Sequence, residues 1–485
     1  MNQRPTESPT VAVVGGGLAG LAAGCALSDA GFRVTLFERR PFLGGRASSY
    51  QHPGTGEIVD NCQHVLLGCC TNLIEFYERT GVAEKIRWYD RLTFLEPGGS
   101  ASVIGASFLP APFHTAPSFL AAHCLSLADK VAIARAMLAL MPLPAADAGE
   151  SFLEWLKRHH QTQRAIERFW KTVLVSALNE DLDRVSVTYA AQVFRESFLK
   201  SAQAGRMGVP SVPLTELYNS AGEFIRAHGG EVELRGSVDS FRPQASQVTL
   251  GINAQERTFD FVVLAVPFDV LARILPHVPE SQLLRESLQH FETSPITGIH
   301  LWFDRQVSNL DHAVLLDRTI QWMFHKSRLL GQEGHDLSRA EAAPSTVGAS
   351  AQEGRGSYVE LVVSSSKSLV EESRTAIIDL ALKEMPEFFP QVAAARLVKA
   401  TVIKEIYATY SPRPGIDRFR PSNATVWPRV FLAGDWTATG WPATMEGAVR
   451  SGYLAAQTLA RSAGQPDATY LVPDLPPSGL MRFFR

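Results

Sequence analysis

The chain of 485 residues has only five cysteines, Cys25, Cys62, Cys69, Cys70 and Cys124, and no C-x-x-C pair. A set so sparse and odd in number argues against a disulfide framework or a cysteine zinc site, and it fits a reducing compartment. An excess of one charge is lacking too. Forty-six basic residues face 49 acidic ones for a net charge of −3, so nothing marks the chain as a nucleic-acid binder. Contact with a membrane surface stays compatible with that balance, because net charge does not report local patches. Long hydrophobic runs are also missing, with no window of about 18 uncharged apolar residues able to span a bilayer. The nearest case, Val11–Leu27, is broken by five glycines and has no basic leader, so it does not read as a signal peptide. These absences lead to the expectation of a soluble, cytoplasmic protein, with peripheral contact on the inner face of the cytoplasmic membrane still open. What is present is ordinary globular composition, 45% hydrophobic and 20% charged. At about 100–200 residues per domain, the length suits two to four domains, or two that interrupt each other.

The pattern along the chain favours the interrupted arrangement. Val11–Val14 reads as a strand, followed by a glycine turn, an Ala/Leu-rich helix to about Ala30, and a second strand over Arg33–Phe37. That is a βαβ unit. From Pro110 to Phe198 the period becomes helical. Residues 118–141 suit one helix buried under the rest, and Ser151–Glu154 carries a capping-box pattern. A helix over Leu214–Gly230, a strand over Glu231–Leu234 and a buried strand over Phe259–Val266 follow. Gly298–Phe303, Thr319–Phe324, Tyr358–Val363 and Val402–Tyr407 are β-branched and aromatic and suit an antiparallel sheet. The stretch 330–356 reads as an exposed loop and residues Met1–Pro9 as a frayed end. Val430–Ala433 is a strand, and a helix runs from about Thr444 to Ala460. The expected division is a discontinuous dinucleotide-binding part over 1–95, 205–285 and 408–470. A substrate part occupies 96–204 and 286–407, and a tail covers 471–485.

Gly15-Gly16-Gly17-Leu18-Ala19-Gly20 matches G-x-G-x-x-G, and it lies between a strand and a helix with Glu38 closing the next strand. Gly15 permits the turn, Gly17 lets backbone approach a pyrophosphate, and Gly20 allows close helix–strand packing. The diphosphate caps the helix N-terminus, and Glu38 accepts from ribose hydroxyls while repelling a 2′-phosphate. Downstream stand Leu43-Gly44-Gly45-Arg46, able to close over the pyrophosphate from the other side, and Phe431-Leu-Ala-Gly434-Asp435.

Glu38 with Gly44-Gly45-Arg46 resembles the flavin-containing amine oxidase and phytoene desaturase superfamily, and Gly434-Asp435 agrees with it. The resemblance implies an α/β fold in which a Rossmann-type FAD-binding domain is interwoven with an α+β substrate domain of antiparallel sheet and helical insertion. It implies FAD as cofactor, held by Gly15, Gly17, Leu18, Ala19, Gly20, Glu38, Arg39, Gly44, Gly45, Arg46, Val238, Gly434, Asp435, Thr444 and Met445. No metal is expected. Asp60–Gly68 and Gly434–Gly452 are similar, more narrowly, to the squalene-associated FAD-dependent desaturases, the hydroxysqualene dehydroxylases of hopanoid-producing bacteria. Ser151–Leu156 and Phe169–Asn179 fit the same group. Cys62 departs from it, since members often carry glycine there.

That narrower resemblance implies reductive removal of a hydroxyl from a C30 isoprenoid alcohol, giving squalene. The hydroxyl is allylic, so its loss as water leaves a delocalised cation, which hydride from reduced flavin then quenches. Such a site needs a proton donor, a dry apolar tunnel and a fixed reductant. His64, flanked by Asp60 and Asn61, is the candidate donor, with a structural histidine as the competing reading. Trp302, Trp322, Phe324, Tyr407 and Trp441 are candidate tunnel walls, although alternating aromatics equally describe a half-buried strand. Electrons would come from NAD(P)H or a separate reductase, since no second nucleotide fingerprint is visible. Residues 106–144 and the aromatic, basic ending Gly479–Arg485 suit a lipid interface. The competing functions are an oxidative carotenoid-type desaturase, an amine oxidase, or a flavin-free prenyl-lipid carrier of the same fold.

Overall fold

The computed structural model describes residues 8–52, 56–142, 149–331 and 356–483. Residues 1–7, the stretch 332–355 that makes up most of the expected loop, and Phe484 and Arg485 of the tail lie outside them.

Five short strands from distant parts of the chain assemble into one parallel sheet. Its order is Glu231–Leu234, Arg33–Glu38, Thr10–Val14, Phe261–Leu264 and Val430–Leu432. Strands buried on both faces need no alternation, and Val11–Val14 and Phe261–Leu264 are apolar throughout. The helix Leu18–Asp29 is buried along nearly its whole length between this sheet and the helix Met445–Ser462. Small residues make that possible. A Cβ on Gly452 would lie 2.2 Å from the Ala19 carbonyl oxygen, so the two helices meet backbone to backbone.

The second large sheet has seven strands in the order Leu397–Tyr410, Thr293–Phe303, Ser357–Ser364, Trp322–Phe324, His312–Leu315, Arg91–Leu95 and Ala101–Gly105. It is antiparallel except where His312–Leu315 runs parallel to Arg91–Leu95. Arg91–Leu95 therefore adds to this sheet, although it falls in a segment expected to belong with the nucleotide part.

The helical segment differs from expectation in two ways. In place of one helix over 118–141 there are two, Ala116–Ala121 and Leu127–Leu140. The second restarts at a full capping box, in which Ser126 Oγ accepts from Asp129 N and Asp129 Oδ2 accepts from Ser126 N. Nor is this region buried. Ile133, Ala136 and Leu140 face inward, whereas Leu120, Leu127, Val131 and Leu138 face solvent. The capping box at Ser151 forms as its sequence pattern implies, with Glu154 returning to the Ser151 amide at 2.9 Å. Asn179 ends the next long helical run in the left-handed region (φ 53°). Its amide donates to the Ser294 carbonyl and Thr409 Oγ1, joining the helical insertion to the seven-stranded sheet.

Candidate active site

One cavity of about 990 Å³ runs from the C-terminal end of the parallel sheet to the helical insertion. Its first end is built of backbone. Gly15 turns with φ 111°, and a Cβ there would lie 2.4 Å from the Ala265 oxygen. A Cβ on Gly20 would reach within 1.9 Å of the Gly15 oxygen. Gly17 differs, because the nearest protein atom to a Cβ there is 3.8 Å away, leaving its open side to the cavity. No side chain caps the helix that Gly17 opens, so its first amides have no protein partner of that kind and face the same space, where Leu18 and Ala19 line the wall. Glu38 is buried at the edge of this cradle and accepts from the Gly16 amide at 2.7 Å and the Arg40 amide at 2.8 Å. From the other side, Gly44 donates its amide to the Gly16 oxygen at 2.8 Å, and Arg40 reaches across to the Gly45 oxygen at 2.9 Å. Arg39 and Val238 line the same end, Val238 beside Gly236 and Ser237.

Polar side chains gather at the middle of the cavity. Arg46 pairs with Asp435 at 2.6 Å and donates to the Ala408 oxygen at 3.0 Å. The guanidinium that the sequence suggested for a phosphate is thus engaged by the carboxylate at the opposite end of the chain. Asn61 donates to the Arg46 oxygen at 2.6 Å and accepts from the Ser48 amide, so it fixes this turn. His64 lines the cavity with Nδ1 held 2.8 Å from the Cys62 oxygen. With Nδ1–H donated there, Nε2 is the acceptor. Burial lowers the ring's affinity for a proton, and the Cys62 bond and Asp60 only partly offset this. His64 is therefore neutral at rest, not a standing acid.

Asp60 does not reach the cavity. It is buried behind the Asn61–His64 segment with Lys326 Nζ 2.7 Å away, and Lys326 also bonds Gln63 at 2.8 Å. Burial favours the neutral acid, but the Lys326 ammonium and bonds from Lys326, Ser49 and the Leu214 amide hold Asp60 below the usual carboxylate range. Glu360 lies 3.6 Å from the same ammonium, in ion-pair range but beyond a hydrogen bond, and neither of its oxygens has a hydrogen-bond partner. Burial pushes it up to about 7, against the pull of Lys326. On the neighbouring strand, directly opposite, stands His300, driven down to about 3 by burial.

The far end is apolar. Phe94, Phe119, Phe169, Trp322, Phe324 and Val362 are among its walls, and Trp322 stacks on Phe324 with centroids 5.4 Å apart. Trp441, Thr444 and Met445 line the cavity beside Gly434 and Asp435. Two expected wall residues do not take part. Trp302 shares the sheet face of Val362 but sits further along, stacked on Tyr358 at 4.3 Å and packed with Val59. Tyr407 lies on the edge strand and is 64% exposed. One residue with no sequence signal matters greatly. Buried Arg420 donates to the Asp435 oxygen (3.0 Å), the Thr437 oxygen (2.5 Å) and Thr439 Oγ1 (3.0 Å), fixing the turn after Gly434. It follows no motif, and its partners lie beyond it in an irregular Pro/Gly/Trp stretch.

A protein-family model described as flavin containing amine oxidoreductase matches residues 18–460. The chain belongs to that family. Among its relatives, a 15-cis-phytoene desaturase of Synechococcus elongatus is 27% identical over 492 residues, covering 94% of this chain and 98% of the relative. A zeta-carotene desaturase of Synechocystis sp. is 26% identical, covering 93% and 96%. Wild-type putrescine oxidase bound to putrescine superposes with a TM-score of 0.67 at 15% identity, over 94% of this chain and 98% of that one. A putative protoporphyrinogen oxidase from Exiguobacterium sp. 255-15 gives 0.64 at 16% identity, over 94% and 99%. At such identities the structures speak to the fold.

The protein is an FAD-dependent oxidoreductase of the amine oxidase superfamily, and its cradle fits that cofactor. Open space at Gly17 and the uncapped amides of the first helix suit a diphosphate. Glu38, with two backbone donors already satisfied, keeps acceptor capacity for ribose hydroxyls. Thr444 caps the last helix by accepting from the Gly447 amide, and that helix points its N-terminus into the cavity beside Asp435. A partial positive charge there stabilises an anionic ring edge. Among the described residues no helix is long and apolar enough to cross a membrane, and no cluster suits a metal ion.

Proposed function

We propose that this flavoprotein acts on a long isoprenoid lipid and removes the hydroxyl of hydroxysqualene to give squalene. The observation that carries the reading is the division of the cavity. A nucleotide cradle continues into a chamber walled by aromatic and aliphatic side chains, with polar groups concentrated at the junction. Asp60–Gly68 and Gly434–Gly452, the segments that resemble the squalene-associated desaturases, supply that junction.

FAD, when bound, supplies two-electron redox chemistry at the junction. The protein's own residues do the rest. Gly15–Gly20, Glu38, Gly44 and Gly45 would hold the nucleotide, and Arg420 with the Arg46–Asp435 pair would fix the turn beside the ring. Phe169, Trp322, Phe324 and Val362 exclude water, which protects a carbocation from capture. His64, neutral with Nε2 open, can pass a proton between the medium and the substrate oxygen but does not store one.

The printed names of the relatives favour a second reading, oxidative desaturation of a longer polyene in the same chamber. Anaerobic incubation separates the two. Dithionite-reduced enzyme should convert hydroxysqualene to squalene as its flavin reoxidises, with dithionite standing in for a reductase or NAD(P)H. Formation of a new double bond in phytoene by the oxidised enzyme, without any squalene in the first experiment, would establish the second reading instead.

The substrate's insolubility implies collection from a bilayer, and the cavity's far end supports that. Phe113 and Leu138 line it while remaining exposed, and Phe108, Leu120, Leu480 and Phe483 are exposed as well. The tail is anchored alongside. Met481 is buried with Ala111 and Met141, and the Leu480 amide donates to the Ala111 oxygen at 2.9 Å.

A further inference from the structure

Among the described residues six carboxylates line the cavity: Glu38, Glu196, Asp239, Glu405, Asp435 and Glu446. Five are engaged. Glu38 holds the Gly16 and Arg40 amides, Glu196 pairs with Lys200, and Asp239 accepts from Ser237. Asp435 pairs with Arg46, and Glu446 holds Arg450 and the Asn72 and Leu73 amides. Glu405 alone has neither a hydrogen bond nor an ion pair among the described residues.

The strand places it with purpose. Glu405 pairs in register with Ile296, and both line the cavity, whereas its neighbour Lys404 points the other way and donates to the Val370 oxygen. It is half-buried, and its charge is felt at both Arg46 and Cys62, which places it at the polar junction. Arg46 does not cancel it, being already paired with Asp435. His64, which lines this junction as well, is neutral, and burial holds the Cys62 thiol in its protonated form. The junction therefore carries one uncompensated carboxylate in front of an apolar chamber.

We infer that Glu405 is a catalytic residue whose carboxylate stabilises positive charge developing on the isoprenoid carbon. The inference rests on the isoprenoid reading above and names the group that faces the reacting centre. In dehydroxylation the C–O bond breaks with its electron pair going to oxygen. The oxygen takes one proton from the medium and leaves as water, and the allylic carbon keeps a delocalised positive charge. A fixed carboxylate in a low-dielectric chamber lowers the barrier to that charge separation. It does so whether the charge arises by loss of water or in a desaturation.

The test compares two probes of one shape on the flavin-loaded protein, below micellar concentrations. Dodecyltrimethylammonium mimics the cation, and the hydrocarbon with carbon in place of nitrogen is its neutral counterpart. Glu405→Gln should weaken ammonium binding at least about tenfold and leave hydrocarbon binding within about twofold, with Glu405→Asp restoring part of the loss. In single turnover with hydroxysqualene, Glu405→Gln should slow the chemical step by about a hundredfold at unchanged flavin content. Equal binding of the ammonium by wild type and Glu405→Gln would overturn the assignment while leaving the isoprenoid reading intact. A wild-type protein that binds neither probe would remove that reading, and the role of Glu405 with it.

Discussion

The two ends of the cavity are made in opposite ways. At the nucleotide end, the working surface is main chain, set by glycines whose missing side chains leave room and by carboxylates tied to amides. At the apolar end, the working surface is side chain, assembled from helices and strands far apart in sequence. The first kind of site tolerates almost no added atom. The second should tolerate exchange of one apolar group for another, because non-directional burial needs only the right volume and no polar intrusion.

The sharpest way to break this contrast is at Gly17. A Cβ there meets no protein atom closer than 3.8 Å, so Gly17→Ala should fold with a melting temperature near that of the wild-type apoprotein. The same side chain would occupy the space needed by a diphosphate, so flavin affinity should fall by at least about a hundredfold. Absorbance of the purified variant and titration with FAD measure this. Retention of yellow colour would place the diphosphate elsewhere.

At the apolar end, Phe113→Glu combined with Phe483→Glu should reduce sedimentation with anionic liposomes by about tenfold, since each change removes an exposed apolar group and adds a repelled charge. Flavin content should not move. Binding equal to wild type would take these exposed residues out of the proposed membrane contact.

A further effect belongs to the polar cluster behind the junction. Glu360 is raised from 4.5 to about 7 by burial, so in the folded protein it costs stability as pH rises past its unfolded value, with the full cost present above about 7. Glu360→Gln abolishes that cost while leaving the Lys326–Asp60 bond. Relative to wild type, the variant should gain stability between about pH 5 and pH 8, by up to ~3 kcal/mol. Denaturant melts at the two pH values check it. A pH-independent difference would mean that Glu360 does not titrate in this window.

The contrast also explains what was legible in the sequence. The fingerprint at Gly15–Gly20, the strands of the parallel sheet and the Ser151 capping box depend on neighbours within a few residues, so their chemistry is visible locally. Trp302 shows the limit of that method. Its alternation assigns the correct sheet face, but the Val59 and Tyr50 packing that covers it arrives from a hairpin no local pattern announces. Leu120, Leu127 and Leu138 show the same limit from the other side, because apolar composition cannot say whether a helix faces a core or solvent. Lys326 meets Asp60 across 266 residues of chain, and Arg420 and Glu405 belong to no motif, so only the folded structure brings their roles together.

The contact between Gly452 and Ala19 has a consequence for biogenesis. The helix that carries the fingerprint leaves the ribosome long before its packing partner and the edge strand Val430–Leu432 are synthesised. A nascent chain therefore displays a nucleotide motif with no enclosing wall, and cofactor capture must wait until those later segments have been made. Premature termination anywhere before Met445 would yield polypeptide that cannot retain its pigment, however intact its first hundred residues.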